Sequence, residues 1–305
     1  MTDYHTPVLA EEVGAFLRPA PGILYLDGTL GGGGHSELLL QAGASVIGLD
    51  RDADAIAHAT ERLAKFGSRF AAIQSNYANV DYILEKLGVP SLGGALLDIG
   101  VSSHQLDEPS RGFSLLHDGP LDMRMGPDAT CKAADFVNDA PAEELMRIFR
   151  EYGEERAASR IANHLVELRA RAPFVTTGQL AEAVAQVVPR TGKRHPATRV
   201  FQALRIAVND ELGSLERGLK TIGNRLARGG RFGVITFHSL EDRIVKHWFK
   251  QHSVEWIDRP EWPEPRRNPD RIFRLLTPHP IDPCPDEVEH NPRARSAKLR
   301  VVERI

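Results

Sequence analysis

Three short apolar runs that close on aspartate constrain this chain more than any other feature. They are Ile23-Leu24-Tyr25-Leu26-Asp27, Ser45-Val46-Ile47-Gly48-Leu49-Asp50 and Ala95-Leu96-Leu97-Asp98-Ile99, with Phe70 to Gln74 as a fourth run between them. Runs of four to eight apolar residues read as strands buried on both faces, and the stretches between them carry helical spacing. Asp52 to Phe66, for instance, has apolar residues at 55, 56, 59, 63 and 66. Strands that alternate with helices imply right-handed crossovers and a parallel sheet. The expectation is therefore an α/β fold whose aspartates line up along one edge of the sheet.

Beyond residue 107 the pattern changes. Residues 108–135 are rich in Gly, Pro, Asp and Met and read as loop, and residues 141–171 and Thr177 to Val188 read as helical. An apolar stripe then runs through Val200, Leu204, Val208, Leu212, Leu215, Leu219, Ile222 and Leu226 in steps of three or four, stopping at Arg228-Gly229-Gly230. Arg231 to Phe237 looks like a further central strand, residues 255–295 like an irregular surface segment, and residues 297–303 like a last strand. The economical division is one α/β domain, 1–107 and 206–305, interrupted by a helical insertion at 108–205.

Composition bears on partners. The whole chain carries −3, but residues 1–100 carry −6, residues 101–189 carry −5 and residues 190–305 carry +8. A basic C-terminal third points to an anionic partner. Arg190, Lys193, Arg194, His195, Arg199 and Arg205 form one acid-free stretch, and Arg293, Arg295, Lys298 and Arg300 a second. Of these, Arg194, Arg199, Arg293 and Arg295 are the candidates for phosphate contact. Cys131 and Cys284 lack partners at metal-ligand spacing, so neither a zinc site nor a disulfide scaffold is expected. No apolar run reaches the ~20 residues of a membrane span, and no basic-then-apolar leader opens the sequence, so a cytoplasmic protein is expected.

The densest local signal is Asp27-Gly28-Thr29-Leu30-Gly31-Gly32-Gly33-Gly34-His35, lying between a strand and a helix. Glycines there let the backbone approach a ligand and take up positive φ. The turn lacks the Lys-Ser/Thr of a phosphate-binding P-loop, and it misses the strict dinucleotide spacing at Ser36. Asp50 closes the next strand, where a carboxylate can accept both ribose hydroxyls of an adenosine. Helix capping is its structural alternative. Tyr77 is placed either to cover an adenine or to pack in the core. Asp98, with Gln105 nearby, stands where a ligand amino group can be held. No Gly-x-Ser-x-Gly elbow surrounds Ser102 and Ser103, which argues against a hydrolase.

Further motifs make a family recognisable. They are His5-Thr6-Pro7-Val8-Leu9, the Asp27–Ser36 turn, Leu97 to Ser103, Arg111-Gly112-Phe113-Ser114, Gly119 to Met125 and Tyr152-Gly153-Glu154-Glu155-Arg156. His195-Pro196-Ala197-Thr198-Arg199, Phe237 to Arg243 and Asn291 to Ser296 complete them. The chain resembles the ribosomal RNA small subunit methyltransferase H family (MraW/RsmH) along nearly its whole length, segment 255–285 excepted. That resemblance implies a class I methyltransferase fold, a Rossmann-like and mostly parallel doubly wound sheet with an inserted all-helical domain for substrate recognition. It implies transfer of methyl from S-adenosyl-L-methionine to the N4 amino group of a decoding-site (P-site) cytosine in 16S rRNA, within the small ribosomal subunit or its precursor. The implied cofactor contacts are Gly33, Gly34, His35, Asp50, Tyr77, Asp98 and Gln105, with Asp98 also the candidate catalytic acceptor. Asp98-Ile99-Gly100-Val101 departs from the Asp/Asn-Pro-Pro-Tyr of many amino-methyltransferases, so an aromatic for the base must come from elsewhere. Three other classes share parts of the pattern: an NAD-dependent oxidoreductase, a non-catalytic RNA-binding module and a small-molecule methyltransferase.

Overall fold

The computed structural model describes residues 7–190, 192 and 195–305. These residues form two compact units, one made of the described residues up to 100 together with 212–305, the other of those between 101 and 211. The division lies outside the 108 and 205 read from composition. At the first border Ser102 and Gln105 already cap a helix, Ser103–Asp107, that belongs to the second unit. At the second border the long apolar stripe conceals a break. Asp210 takes φ 46°, which ends the helix Thr198–Asn209, and a new helix runs Glu211–Arg225. The stripe keeps its period across the break, so periodicity alone reads one helix where there are two.

The first unit is built on a seven-stranded sheet. Its strands are β1 (Leu24–Asp27), β2 (Ser45–Asp50), β3 (Phe70–Gln74), β4 (Leu92–Asp98) and β5 (Leu226–Thr236). A small separate hairpin follows as β6 (Trp256–Ile257) and β7 (Arg266–Arg267), and then β8 (Phe273–Leu275) and β9 (Lys298–Arg304). The sheet order is β3-β2-β1-β4-β5-β9-β8. β1 to β5 are mutually parallel, whereas β9 runs antiparallel to both β5 and β8. β8 and the hairpin lie inside the proline-rich segment read as irregular, because runs of two and three residues leave no periodicity to see.

Both sheet faces are covered, and the alternation of side chains shows it. Leu26, Ile47, Leu97, Val234 and Val302 enter one apolar cluster, while their chain neighbours Tyr25, Val46, Leu96, Ile235 and Val301 enter another. Successive residues of a strand point to opposite faces, so a strand buried twice must be apolar at every position. That is why these runs do not alternate with polar residues. In an order of this kind the chain reverses its direction of sheet building between β1 and β4, and a crevice opens there at the carboxyl ends of the strands.

The second unit is helical. Helices Ala133–Asp139, Ala142–Glu151, Ala158–Arg169, Thr177–Val187 and Thr198–Asn209 pack around Phe149, Ile161, Leu165, Val184 and Leu204. The segment read as loop at 108–135 enters a helix at Ala133, and its part 108–125 is tied down. Asn209, buried, donates to the Met123 and Arg205 carbonyls at 2.8 and 2.9 Å and accepts from the Met125 amide at 2.8 Å. Gly112 has φ 74°, and a Cβ there would lie 2.1 Å from the Pro120 carbonyl oxygen. Removing the amide in Asn209→Ala strands buried backbone groups, each at a cost of about 1–3 kcal/mol. Denaturant unfolding followed by helicity should show that loss, and an unchanged midpoint would contradict it.

Candidate functional site

The carboxyl ends of β1, β2 and β4 carry the site. Asp27, at the end of β1, is buried; its Oδ2 accepts from Ser36 Oγ at 2.7 Å and its Oδ1 from the Thr29 amide at 3.2 Å. These two bonds fold the turn back onto the helix Gly34–Gln41. The turn is then fastened on both sides. The Gly28 amide donates to the Leu96 carbonyl of β4 at 2.9 Å, and the Leu30 amide to the Leu49 carbonyl of β2 at 2.8 Å. Gly31 and Gly33 take φ 48° and 79°. Gly33 and Gly34 also answer to packing: a Cβ would lie 3.0 Å from Leu63 at the first and 3.0 Å from Pro7 at the second.

Asp50 ends β2 facing the same turn. Its Oδ2 accepts from the Gly31 amide at 2.8 Å and its Oδ1 from the Asp52 amide at 2.9 Å. One lone pair on each oxygen is thereby left for a further donor. The helix Ala53–Leu63 is capped by Asp52, whose side chain accepts from the Asp54 amide, so Asp50 is not its N-cap. Desolvation pushes the Asp50 carboxyl up to about 6, with the two amides pulling the other way and the charges of Asp52 and Asp27 adding to the rise.

Asp98 ends β4. Its amide donates to Thr29 Oγ1 at 2.6 Å, and its Oδ2 lies 3.4 Å from His35 Nε2. Asp98 Oδ1 and His35 Nδ1 are buried with no hydrogen-bond partner among the described residues, and His35 Nε2 has only the long contact to Asp98. Burial alone would lower the His35 imidazole, but Asp98, then Asp27 and Glu287, hold it above its ordinary value. Asp27 is raised by burial and held back by His35. Buried polar atoms without partners are uncommon in folded chains, and a water, an ion or a ligand at the site satisfies them.

The remaining candidates fall in different places. Tyr77 follows β3 and is buried in the core of the first unit. A Cβ at Gly218 would lie 2.5 Å from its ring, and one at Gly28 would lie 3.1 Å from its Cβ. Gln105 belongs to the helical unit, where its Oε1 accepts from the Ser102 amide at 3.1 Å in a capping box. Arg199 is in that unit too, exposed, with Nη1 donating to the Glu154 carbonyl at 3.0 Å. Arg293 and Arg295 are exposed on the turn Pro292–Ser296 of the first unit. Arg194 lies outside the described residues.

Two members of the basic stretches are structural. Arg205 forks onto Glu211 at 2.8 and 2.8 Å, and Arg300, nearly buried, onto Asp242 at 2.7 and 3.1 Å. Sequence spacing hid both pairings, because the partners are acids outside each run. It also passed over Asp27 and Ser36 as a bonded pair, although their position at a strand–turn–helix junction is the available signal.

An open α/β sheet with a glycine turn after β1, an acid at the end of β2 and an orphaned carboxylate oxygen at the end of β4 defines a class I, Rossmann-like methyltransferase fold. The chain belongs to the MraW methylase family, whose model matches residues 2–305. It is 49% identical over 304 residues to the "Ribosomal RNA small subunit methyltransferase H" of Carboxydothermus hydrogenoformans, covering 99% of this chain and 98% of that one. It is 50% identical over 311 residues to the protein of the same name from Geobacter sulfurreducens, covering 100% of both. Among solved structures, an rRNA methylase from Streptococcus thermophilus superposes with a TM-score of 0.43 at 11% identity, over 97% of this chain and 93% of that one.

Proposed function

We propose that this chain transfers methyl from S-adenosyl-L-methionine to the N4 amino group of a decoding-site cytosine in 16S rRNA, on the small ribosomal subunit or its precursor in the cytoplasm. The observation that carries the reading is the cluster at the β1 and β4 ends, where Asp98 Oδ1 and His35 Nδ1 are buried without a hydrogen bond among the described residues and His35 Nε2 faces Asp98 Oδ2 at 3.4 Å. A ligand bearing donors and acceptors would complete it. The relatives' names supply the substrate class.

The residues fit such a cofactor. Gly33, Gly34 and His35 form the turn at which its methionine end would lie, Asp50 would accept the ribose hydroxyls, and Tyr77 would wall the adenine side. Asp98 would be the remaining contact from this unit, and Gln105 is the candidate that the resemblance adds. When bound, S-adenosylmethionine supplies a methyl group already activated on sulfonium. What this chain must do is bring the amino nitrogen into line, exclude water and accept the proton that the nitrogen loses. Positioning dominates a transfer of this kind. Cytosine N4 is a weak nucleophile, its lone pair delocalised into the ring. An acceptor bond from N4–H to Asp98 Oδ1 would localise that lone pair and receive the departing proton.

The target base must leave its stack, at a cost of a few kcal/mol. Phosphate contacts from Arg194, Arg199, Arg293 and Arg295, together with the helical unit as recognition domain, would offset it. Each phosphate contact removed by an Arg→Ala change should lower the slope of log RNA affinity against log salt by about 0.7–0.9. Parent slopes in all four variants would make these arginines a solvated face.

Ligand-dependent protection tests the cofactor assignment. S-adenosylhomocysteine at a hundred times its Kd should stabilise the protein by about 2.7 kcal/mol, raising Tm, while NADH leaves Tm unchanged. Protection by NADH alone would favour the oxidoreductase.

A further inference from the structure

The site as described holds an acceptor for the amino group but no surface for the base that carries it. The geometry points to Phe237 as that surface: its ring stacks on the target cytosine. This inference rests on the reading above.

β4 and β5 are parallel neighbours in register at Asp98 and Ile235, and the Ile99 amide closes the ladder onto the Ile235 carbonyl at 2.9 Å. Beyond that bond the two chains part. Phe237 stands two residues past Ile235, about 6–7 Å further toward the carboxyl edge at strand rise. There its ring edge lies over Gly100. A Cβ on Gly100 would be 3.2 Å from Phe237 Cδ2 and 3.5 Å from Cε2, and Gly100 has φ 151°. A bare glycine two residues after Asp98 thus lets an aromatic ring sit beside the strand end that carries the orphaned oxygen.

Elimination gives the same residue. Of the segments that directly follow the parallel strands β1 to β5, only those after β3 and β5 supply an aromatic, Tyr77 and Phe237. Tyr77 is buried against Gly218, whereas Phe237 is half-buried and next to β4. The Phe237 ring also packs against the apolar cluster that holds Leu96 and Ile235, and its backbone is held by the start of the next helix. Glu241, fully buried, spends Oε2 on the Phe237 amide at 2.9 Å and the His238 amide at 3.3 Å, while its Oε1 lies 2.9 Å from His238 Nε2. Burying a carboxylate is costly unless it is bonded. Glu241 is bonded as the third helical residue of the capping box that opens the helix Ser239–Gln251 with His238 as N-cap, and the same carboxylate holds the Phe237 amide. A base taken out of its helix is received between aromatic or apolar faces, and a pinned, partly buried ring beside the strand end that carries the acceptor is such a face.

The test compares Phe237→Leu with Phe237→Tyr and Phe237→Trp in the full-length protein. The probe is small-subunit RNA from cells lacking the enzyme, with S-adenosylmethionine binding measured by calorimetry. The Leu variant keeps an apolar side chain of similar reach but no π face. It should bind cofactor as the parent does and transfer methyl about 10- to 100-fold more slowly at subsaturating RNA, the range expected for losing one stacked base. Tyr and Trp should restore transfer to within a few-fold. Parent-level transfer by Phe237→Leu, equal damage in all three variants, or loss of cofactor binding in Phe237→Leu would overturn the assignment. The parent run alongside keeps two failures apart: no transfer by the parent refutes the substrate reading, whereas full transfer by Phe237→Leu refutes only the stacking surface.

Discussion

Asp98→Ala should lower methyl transfer to RNA by about 10²- to 10⁴-fold, the range a positioned proton acceptor contributes. The side chain removed is the one whose Oδ1 is buried without a partner and whose Oδ2 sits 3.4 Å from His35 Nε2. Asp98→Asn separates two roles. It keeps the size and an acceptor oxygen but loses the charge that can take a proton, so it should bind the cofactor better than the Ala variant and transfer no faster. It should also let the His35 imidazole fall, since Asp98 contributes most of what raises it. Single-turnover rates and cofactor binding on the same preparations check this. An Asn variant that transfers at the parent rate would leave Asp98 a binding group and place proton acceptance elsewhere.

Asp50→Ala should weaken cofactor binding by about 10- to 150-fold. It removes hydrogen bonds to a charged group worth roughly 1.5–3 kcal/mol. The fold should survive, because Asp52 and not Asp50 caps the following helix. A pH dependence accompanies this. The Asp50 carboxyl is raised to about 6 without ligand, and ribose hydroxyls donate to its ionised form. Below about pH 6 binding must first release a proton, so log affinity should fall toward one unit per pH unit. Above it the curve should be flat. The sign for stability is the reverse of the usual carboxylate case. A folded-state value above the unfolded one means that the neutral form favours folding, so this group's contribution is present at low pH and is lost as pH rises toward 6. Calorimetry of parent and Asp50→Asn from pH 5 to 8 tests both parts. His35 and Asp27 also titrate from shifted positions, and the Asn variant separates their share from that of Asp50. Matching pH profiles in the two proteins would remove Asp50 from the ribose.

The parts of this molecule that were legible in its sequence are those with one physical cause. Strands buried on both faces must be apolar throughout, so β1, β2, β4 and the core of β5 show as short runs, while the edge strand β3 shows through Phe70 and Ile73 although none of its residues is buried. The acids at their ends show because they interrupt those runs. The glycine turn shows because Gly31 and Gly33 need positive φ. What stayed hidden depends on pairing across the chain. The break at Asp210 leaves the apolar period intact, and β8 has three residues. Arg205 and Arg300 read as members of the acid-free basic stretches until Glu211 and Asp242 are seen to hold them. Within the site, the sequence names Asp50 and Asp98 but not what they touch. That Gly33 and Gly34 make room for Leu63 and Pro7, as well as for a ligand, is a fact of packing alone.

The most direct test of the central claim is methyl transfer itself. The purified protein would be incubated with methyl-labelled S-adenosylmethionine and small-subunit RNA or particles from cells lacking the enzyme, and the labelled nucleotide mapped. The account predicts label on the exocyclic nitrogen of a single decoding-site cytosine, lost in Asp98→Ala. Label on another base or on a ring carbon, or none with any small-subunit substrate, would contradict it.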